Sequence, residues 1–409
     1  MRSQGKGAEV PRAFEASVSQ RRHRPAAQAL PRHPEAGRRV DVVGFERFAS
    51  IEAGWRALAG LQDRPVLYQS FDWCHPWVKA CAGIGRPLDV RVVTVREEGR
   101  LVLVWPLALS RLGPIRILHA LGEPATQYCD LLVEPGACGG DYVDLAWDRI
   151  AAMPDVDLVH LRNVREGSGL DLLRRICLRK FQRSADAAPY LRLGSCEAGS
   201  VGDGPRDRSS RSRNALRRHR KQLARLGPVT FEVVDPCDHR MAAREALALK
   251  RAWLETRGTL SAGYAHPANE PAIEDLAEAG RFAVTRLRVG AATAAIEIGL
   301  VEAGHYYSLI QSYDQAFAAH APGRLLIWQF IEENPFGIET MDFLPPSLPH
   351  KIEWTDASVP VREFAVPLTS RGRLALPALR RLKGGLKRLH AALPLPLRRR
   401  LLRLAGAMD

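Results

Sequence analysis

The sequence has no C-x-x-C pair, no apolar run long enough to cross a bilayer and no domain with a strongly basic face. Each absence removes a class of protein. The seven cysteines (Cys74, Cys81, Cys129, Cys138, Cys177, Cys196 and Cys237) are scattered, whereas a disulfide framework or a zinc site would hold them in close pairs. Cys74 and His75 are the only close Cys/His neighbours and read as packing, so no metal is expected. No apolar stretch approaches the roughly 20 residues of a membrane-spanning helix. The longest, Leu101 to Leu109, reads as a buried strand ending at Pro106. The N-terminus, MRSQGKGAEV, never turns apolar, and a cytoplasmic address is expected.

The net charge of +14 over 409 residues is concentrated in three segments. Residues 1–40 carry 9 Lys/Arg against 3 Asp/Glu, residues 201–227 carry 9 against 2, and residues 371–409 carry 11 against 1. What lies between is neutral to acidic, −1 over 41–200 and −8 over 228–370. Nucleic acid is therefore not the expected partner.

Periodicity organises what is present. Residues 1–39 have no apolar pattern and read as a disordered tail. Val40–Val43 starts a strand, and three- and four-residue apolar steps over 45–61 predict a helix. Phe71, Trp73 and Trp77 mark a second. Strands are expected at 88–95, 100–109, 131–133 and 156–161, with a helix at 170–179. Residues 198–213 read as linker and 214–226 as a basic helix with a thin stripe of Leu216, Leu223 and Leu226. Its arginines are expected to reach acidic groups of the second lobe. Beyond it come a strand (229–234), a helix (241–256), an antiparallel meander (281–287, 293–301, 305–313), a helix opening on Pro322, and strands at 340–344 and 361–366.

Several pieces carry a family resemblance: YQSFDWCHPWVKA, VLVWPLAL and LHALGEPATQYCDLL, then RNALRRHRKQLARLGPVTFEVV, then GAATAAIEIGLVEAGHYYSLIQSYDQAFAAHAPGRLL and MDFLPPSLPHKIEW. In this order they resemble the GNAT superfamily, in its double-lobed branch that includes bacterial cellulose-biosynthesis and exopolysaccharide acetyltransferases. The Fem-type peptidyltransferases are more distant kin. The resemblance implies an α/β fold of two tandem GNAT-like lobes, each a mixed, mostly antiparallel sheet with flanking helices. The lobes would span 40–200 (a degenerate copy) and 228–370 (the acyl-CoA lobe), joined by a basic linker and helix at 201–227. Acetyl-CoA or another acyl-CoA is the implied co-substrate, held where two neighbouring strands splay apart.

The phosphates of that co-substrate would lie on Ala321, Pro322, Gly323, Arg324 and Leu325. A helix N-terminus attracts anions, Gly323 lets the backbone approach, and Arg324 adds a cation. A plain helix start fits the same residues. HAPGRLL holds one glycine where many acetyltransferases have two or three, a shorter form common in this branch. Glu297, between Ala295 and Gly299 on one strand face, is the candidate base. It would serve equally as a solvated glutamate. Strand parity places Tyr306 on one face and Tyr307 and Tyr313 on the other. Tyr307 or Tyr313 could protonate the leaving thiolate, or simply pack. Relatives often supply that proton from a tyrosine after the next strand, and none lies beyond Tyr313; a bound water could serve instead. Asp342 and Lys351 match the segment after the CoA helix, with His350 where an aromatic is usual. Lys351 could bind a phosphate or an anionic acceptor, or be a solvated loop lysine.

Residues 371–409 form a separate signal. Leu379, Leu382, Leu386, Leu389 and Leu393 make a stripe opposed by basic residues, a basic amphipathic tail suited to an anionic membrane surface or a partner. The expected function is acyl transfer to N or O of a cell-envelope or exopolysaccharide precursor, near the membrane's inner face. Aminoacyl transfer from tRNA and a decayed, membrane-associated accessory role are the alternatives.

Overall fold

The computed structural model describes residues 37–193, 210–259, 261–377 and 393–398 without 395. The expected N-terminal tail up to residue 36, the linker 201–209 and most of the leucine-striped tail lie outside the described residues.

The chain enters β1 (Arg38–Val43), then a 3-10 turn that runs into α1 (Glu52–Gly60). Phe48, Ile51, Trp55 and Leu58 turn inward with the expected helical spacing, and Leu61 faces water. The Ser70 hydroxyl caps α2 (Phe71–Gly83) by accepting from the Trp73 amide. Four strands follow: β2 (Asp89–Val90), β3 (Val92–Glu97), β4 (Arg100–Trp105) and β5 (Leu107–Leu112). The single strand expected over 100–109 is thus two. Pro106 has no N–H for a ladder, and the chain there leaves one sheet for another. β4 pairs β3, while β5 pairs β2 and β6 (Ile115–Ala120).

The lobe is completed by β7 (Leu132–Val133), α3 (Gly139–Ala151), β8 (Leu158–Arg165) and β9 (Gln182–Arg192). In place of the helix expected at 170–179 stand two 3-10 turns, Gly169–Leu172 and Leu178–Phe181. Acidic side chains take the amides that a helix would have paired: Gly169 donates to Asp130, and Arg174 and Arg175 both donate to Asp144.

The second lobe runs α4 (Ser210–Leu223), β10 (Val229–Val233), α5 (His239–Arg257), α6 (Ala262–Ala265) and α7 (Asn269–Glu278). The expected meander is β11 (Phe282–Val289), β12 (Ala292–Glu302) and β13 (His305–Tyr313). Then come α8 (Pro322–Glu333), β14 (Thr340–Asp342), α9 (Pro349–Ile352) and β15 (Ala357–Pro367).

Strands β1, β3, β4 and β7 make a small sheet. The other eleven form one large sheet in the order β10-β11-β12-β13-β14-β9-β15-β8-β6-β5-β2. The lobes are stitched by exchange, with β9 lying between β14 and β15, and β15 reaching back to pair β8. All pairs are antiparallel except β6 with β8 and β13 with β14. Each parallel pair is joined through a long helix, α3 or α8, so the two lobes repeat one unit.

Helix α4 is held by its thin stripe. Leu216 and Leu223 are buried in the cluster that contains Leu325 and Phe330 of α8, while Leu226 is exposed. Arg217 and Arg218 are also exposed, and among the described residues neither pairs with an acidic side chain. Leucine burial seats this helix, and the expected ion pairs are not made by Arg217 or Arg218 among the described residues.

Candidate active site

The parallel pairing of β13 with β14 spans only His305, Tyr306 and Tyr307 against Thr340, Met341 and Asp342. β14 ends there, and β13 continues to Tyr313 with no strand on that side among the described residues. Two carbonyls of the freed stretch accept from side chains instead. Tyr264 of α6 donates its hydroxyl to Leu309 (3.3 Å), and Lys250 of α5 donates its ammonium to Gln311 (3.0 Å). The opening between the strands is thus lined by backbone polar groups beside a packed core.

Glu297 lies on β12 within this region and is fully buried, which excludes the solvated reading. Its Oε1 accepts from Ser308 (2.5 Å) and Tyr306 (3.4 Å), while its Oε2 has no partner. Burial pushes the carboxyl up to about 8, with Ser308 and the Lys250 charge pulling the other way. The room expected beside Gly299 is taken. A Cβ there would fall 2.1 Å from Cζ of Tyr306, whose ring lies over the glycine to reach Glu297.

A β-bulge changes the expected tyrosine faces. Ile298 pairs Ile310, but Gly299 pairs Ser308, leaving Leu309 as an extra residue. One inserted residue reverses which side chains share a face. Tyr307 and Tyr313 therefore lie on opposite faces, not on one. Tyr307 packs edge-on against Tyr68 of the first lobe, with ring centroids 5.7 Å apart. It lines a cavity of about 210 Å3 with Arg64, Tyr128 and Arg165. Tyr313 joins the cluster around α8 and accepts from the Trp253 indole at 3.0 Å.

At the head of α8, Ala321 is in the left-handed region (φ 49) and Pro322 occupies the first turn. The Arg324 and Leu325 amides both turn back to the Ala321 carbonyl. Leu325 is buried core, and Arg324 pairs with Glu353 at 3.0 Å. Gly323 remains as the open position, with only Tyr313 Cδ1 near a hypothetical Cβ, at 3.6 Å. Sequence reasoning missed a further contribution. His219 of α4 and His320 each hold a buried Nδ1 without a partner. Burial first, then the charges of Arg218, His320 and Arg324, lower the His219 pKa. Cations and orphaned imidazole nitrogens at a helix N-terminus with a bare glycine fit a diphosphate.

Asp342, at the end of β14, is buried and accepts from Tyr128 Oη (2.9 and 2.8 Å), from the Leu344 amide (2.7 Å) and from Arg165 (3.5 Å). Burial raises its pKa, and Arg165 opposes that. Tyr128 and Arg165 come from the first lobe. Tyr128 sits in QYCDLL, a resembling segment that carried no role until the fold placed it. Leu344 is also left-handed (φ 62), and its carbonyl accepts from Lys351 Nζ at 2.8 Å. Lys351 is half-buried, so it is not a freely solvated loop lysine.

Residues 210–352, which include this site, match the family described as acetyltransferase (GNAT) domain. The matched residues make up most of the second lobe. No curated protein matches the sequence. Among solved structures the chain is similar to FemX, at 12% identity and a TM-score of 0.54, over 80% of this chain and 98% of that one. It is also similar to a conserved protein of unknown function from Bacteroides thetaiotaomicron VPI-5482, at 12% identity and TM-score 0.49, over 78% and 97%. At this identity the likeness to FemX shows a shared fold. The match to an acetyltransferase domain supports acyltransferase activity and implies an acyl-CoA-type co-substrate. Among the described residues there is no cluster of metal-ligating side chains, and no helix is long and apolar enough to cross a membrane.

Proposed function

We propose that the chain transfers an acyl group from acyl-CoA to an amine or hydroxyl of a cell-envelope or exopolysaccharide precursor. The observation that carries acyl-CoA use is the strand opening beyond Tyr307, with the bare, cation-flanked head of α8 beside it. Gly323, at the helix head formed by Ala321, Pro322, Arg324 and Leu325, receives the phosphates. Tyr313 walls that end of the groove. Tyr307 faces the first-lobe cavity, where an acceptor enters between the lobes. Asp342 and Lys351 flank that acceptor. Glu297, whose carboxyl titrates within the working range, exchanges the nucleophile's proton through the Ser308 hydroxyl. The envelope acceptor is supported by the sequence resemblance and by the basic amphipathic tail.

Thiol release from acetyl-CoA by the full chain, with amino sugars and nucleotide-sugar precursors as acceptors, tests this reading. Acceptor-dependent release should fall by about a hundredfold in Glu297→Gln, which keeps the shape but cannot exchange a carboxyl proton. Release that is independent of acceptor, or normal in Glu297→Gln, contradicts it.

One feature favours a second reading, transfer from aminoacyl-tRNA. Arg217, Arg218, Arg220 and Lys221 of α4 border a groove with Trp328, and a basic face beside an aromatic suits RNA. A tight, salt-sensitive complex with charged tRNA, lost on charge reversal of Arg217 and Arg218, would select it.

A further inference from the structure

The two diverging strands are each gripped by one lysine. Lys250 Nζ holds the Gln311 carbonyl on β13, and Lys351 Nζ holds the Leu344 carbonyl just past β14. An ammonium has three donors, and each of these has one acceptor. The Trp253 and Tyr264 rings lie 5.2 and 5.4 Å from Lys250 Nζ; they stabilise a cation without neutralising it. Neither lysine pairs with a carboxylate among the described residues. Of the nearby acids, Asp342 accepts from Tyr128 and the Leu344 amide, Asp186 accepts from the Ala187 and Ser347 amides, and Glu297 accepts from Ser308 and Tyr306 through Oε1 while its Oε2 stays unpartnered. Half-buried cations without counterions are costly, and a bound anion would offset that cost.

We propose that Lys250 and Lys351 form an anion subsite across the strand opening, and that the acceptor presents a carboxylate or phosphate to it. This rests on the acyl-transfer reading and narrows it: the acylated amine or hydroxyl belongs to an acid, such as an amino acid, a uronic acid or a sugar phosphate. The electrostatics agree. Burial is the main cause lowering Lys351 to about 8; the Asp342 charge opposes it, and the Lys250 charge lowers it further, so the two ammoniums feel one another. Asp342 and Glu297 attract Lys351 and Lys250 in turn, but burial pushes both acids toward their neutral forms, and among the described residues neither forms an ion pair with a lysine.

The anion could come from the acceptor or from the phosphates of acyl-CoA, and the test separates them. The full chain is treated with a lysine-acetylating succinimidyl ester in phosphate, acetate or chloride at matched ionic strength. Modification of Lys250 and Lys351 is read by peptide mass spectrometry, with and without saturating acetyl-CoA. Phosphate and acetate should protect both lysines saturably, chloride should not, and the protection should persist with acetyl-CoA bound. Lys250→Met should weaken protection of Lys351 about tenfold or more, and Lys351→Met should do the same for Lys250. Protection that follows ionic strength alone, that survives loss of the other lysine, or that acetyl-CoA supplies unaided overturns the proposal. Melting the same samples with acetyl-CoA keeps the two readings apart. A shift without protection removes the anion subsite and leaves acyl-CoA binding intact, whereas absence of any shift removes acyl-CoA binding itself.

Discussion

The heads of α3 and α8 occupy corresponding places in the two lobes, each between the members of a parallel strand pair, and they are finished in opposite ways. α3 opens on Gly139-Gly140, but a Cβ at Gly140 would meet the Arg174 guanidinium at 3.1 Å, and one at Gly139 would meet Leu172 at 3.3 Å. Its first turn carries Asp141, and Arg174 bridges Asp141 and Asp144. The helix thus supplies its own negative charge and plugs its own entrance. α8 has no acidic residue in its first turn, a Cβ at its Gly323 would have only Tyr313 near it, and His219 and His320 each hold a buried Nδ1 without a partner. The same unit makes a closed structural end in one lobe and an open anion-seeking end in the other.

The largest expected effect concerns the buried acid beneath the open end. Unfolded, Glu297 ionises near the ordinary 4.5; folded, it does so at about 8. Between those values the native state keeps a proton that the unfolded chain has lost. Its contribution is therefore intact below about pH 4.5 and is lost as pH rises toward 8. Glu297→Gln should be more stable than wild type by roughly 4–5 kcal/mol at pH 8, at about 1.4 kcal/mol per pH unit. The gap should close near pH 4.5. Denaturant melts across that range measure it, and a gap independent of pH would contradict a buried, neutral Glu297.

Leucine burial seats α4 against the open lobe, so Leu216→Ala should cost about 3 kcal/mol by chemical denaturation. A loss below about 1 kcal/mol would show that the helix rides loosely. Reversing both Arg217 and Arg218 to Glu should change stability by no more than about 0.5 kcal/mol, since neither side chain is paired. A larger loss would restore the idea that charge holds the lobes together.

The open lobe was far more legible in the sequence than the closed one. The meander β11–β13 and helix α8 stand within two residues of where alternation and Pro322 placed them, because local pattern and tertiary burial agree there. In the first lobe, β9 (QRSADAAPYLR) has little strand propensity and exists because β14 and β15 flank it. α3 also went unread, since its Gly-Gly start resembles a loop until Arg174 fills it. At the site, Glu297 and Gly323 were legible as residue types in a pattern. The bulge at Leu309, which sends Tyr307 and Tyr313 to opposite faces, leaves no mark in alternation. The roles of Tyr128, Arg165, His219 and Lys250 depend on contacts between distant segments and could not be read from spacing.

Acetyl-CoA binding to the full chain, followed by thermal shift and titration calorimetry, tests the contrast between the two helix heads most directly. At a hundredfold excess over its dissociation constant, acetyl-CoA should stabilise wild type by about 2.7 kcal/mol, binding once per chain. Gly323→Val should fold, because the nearest atom leaves ordinary contact room, and should lose that stabilisation. Arg174→Ala, which unplugs α3, should neither lose it nor gain a second site. No shift with acetyl-, longer acyl- or free CoA, or a shift that survives Gly323→Val, would contradict the account.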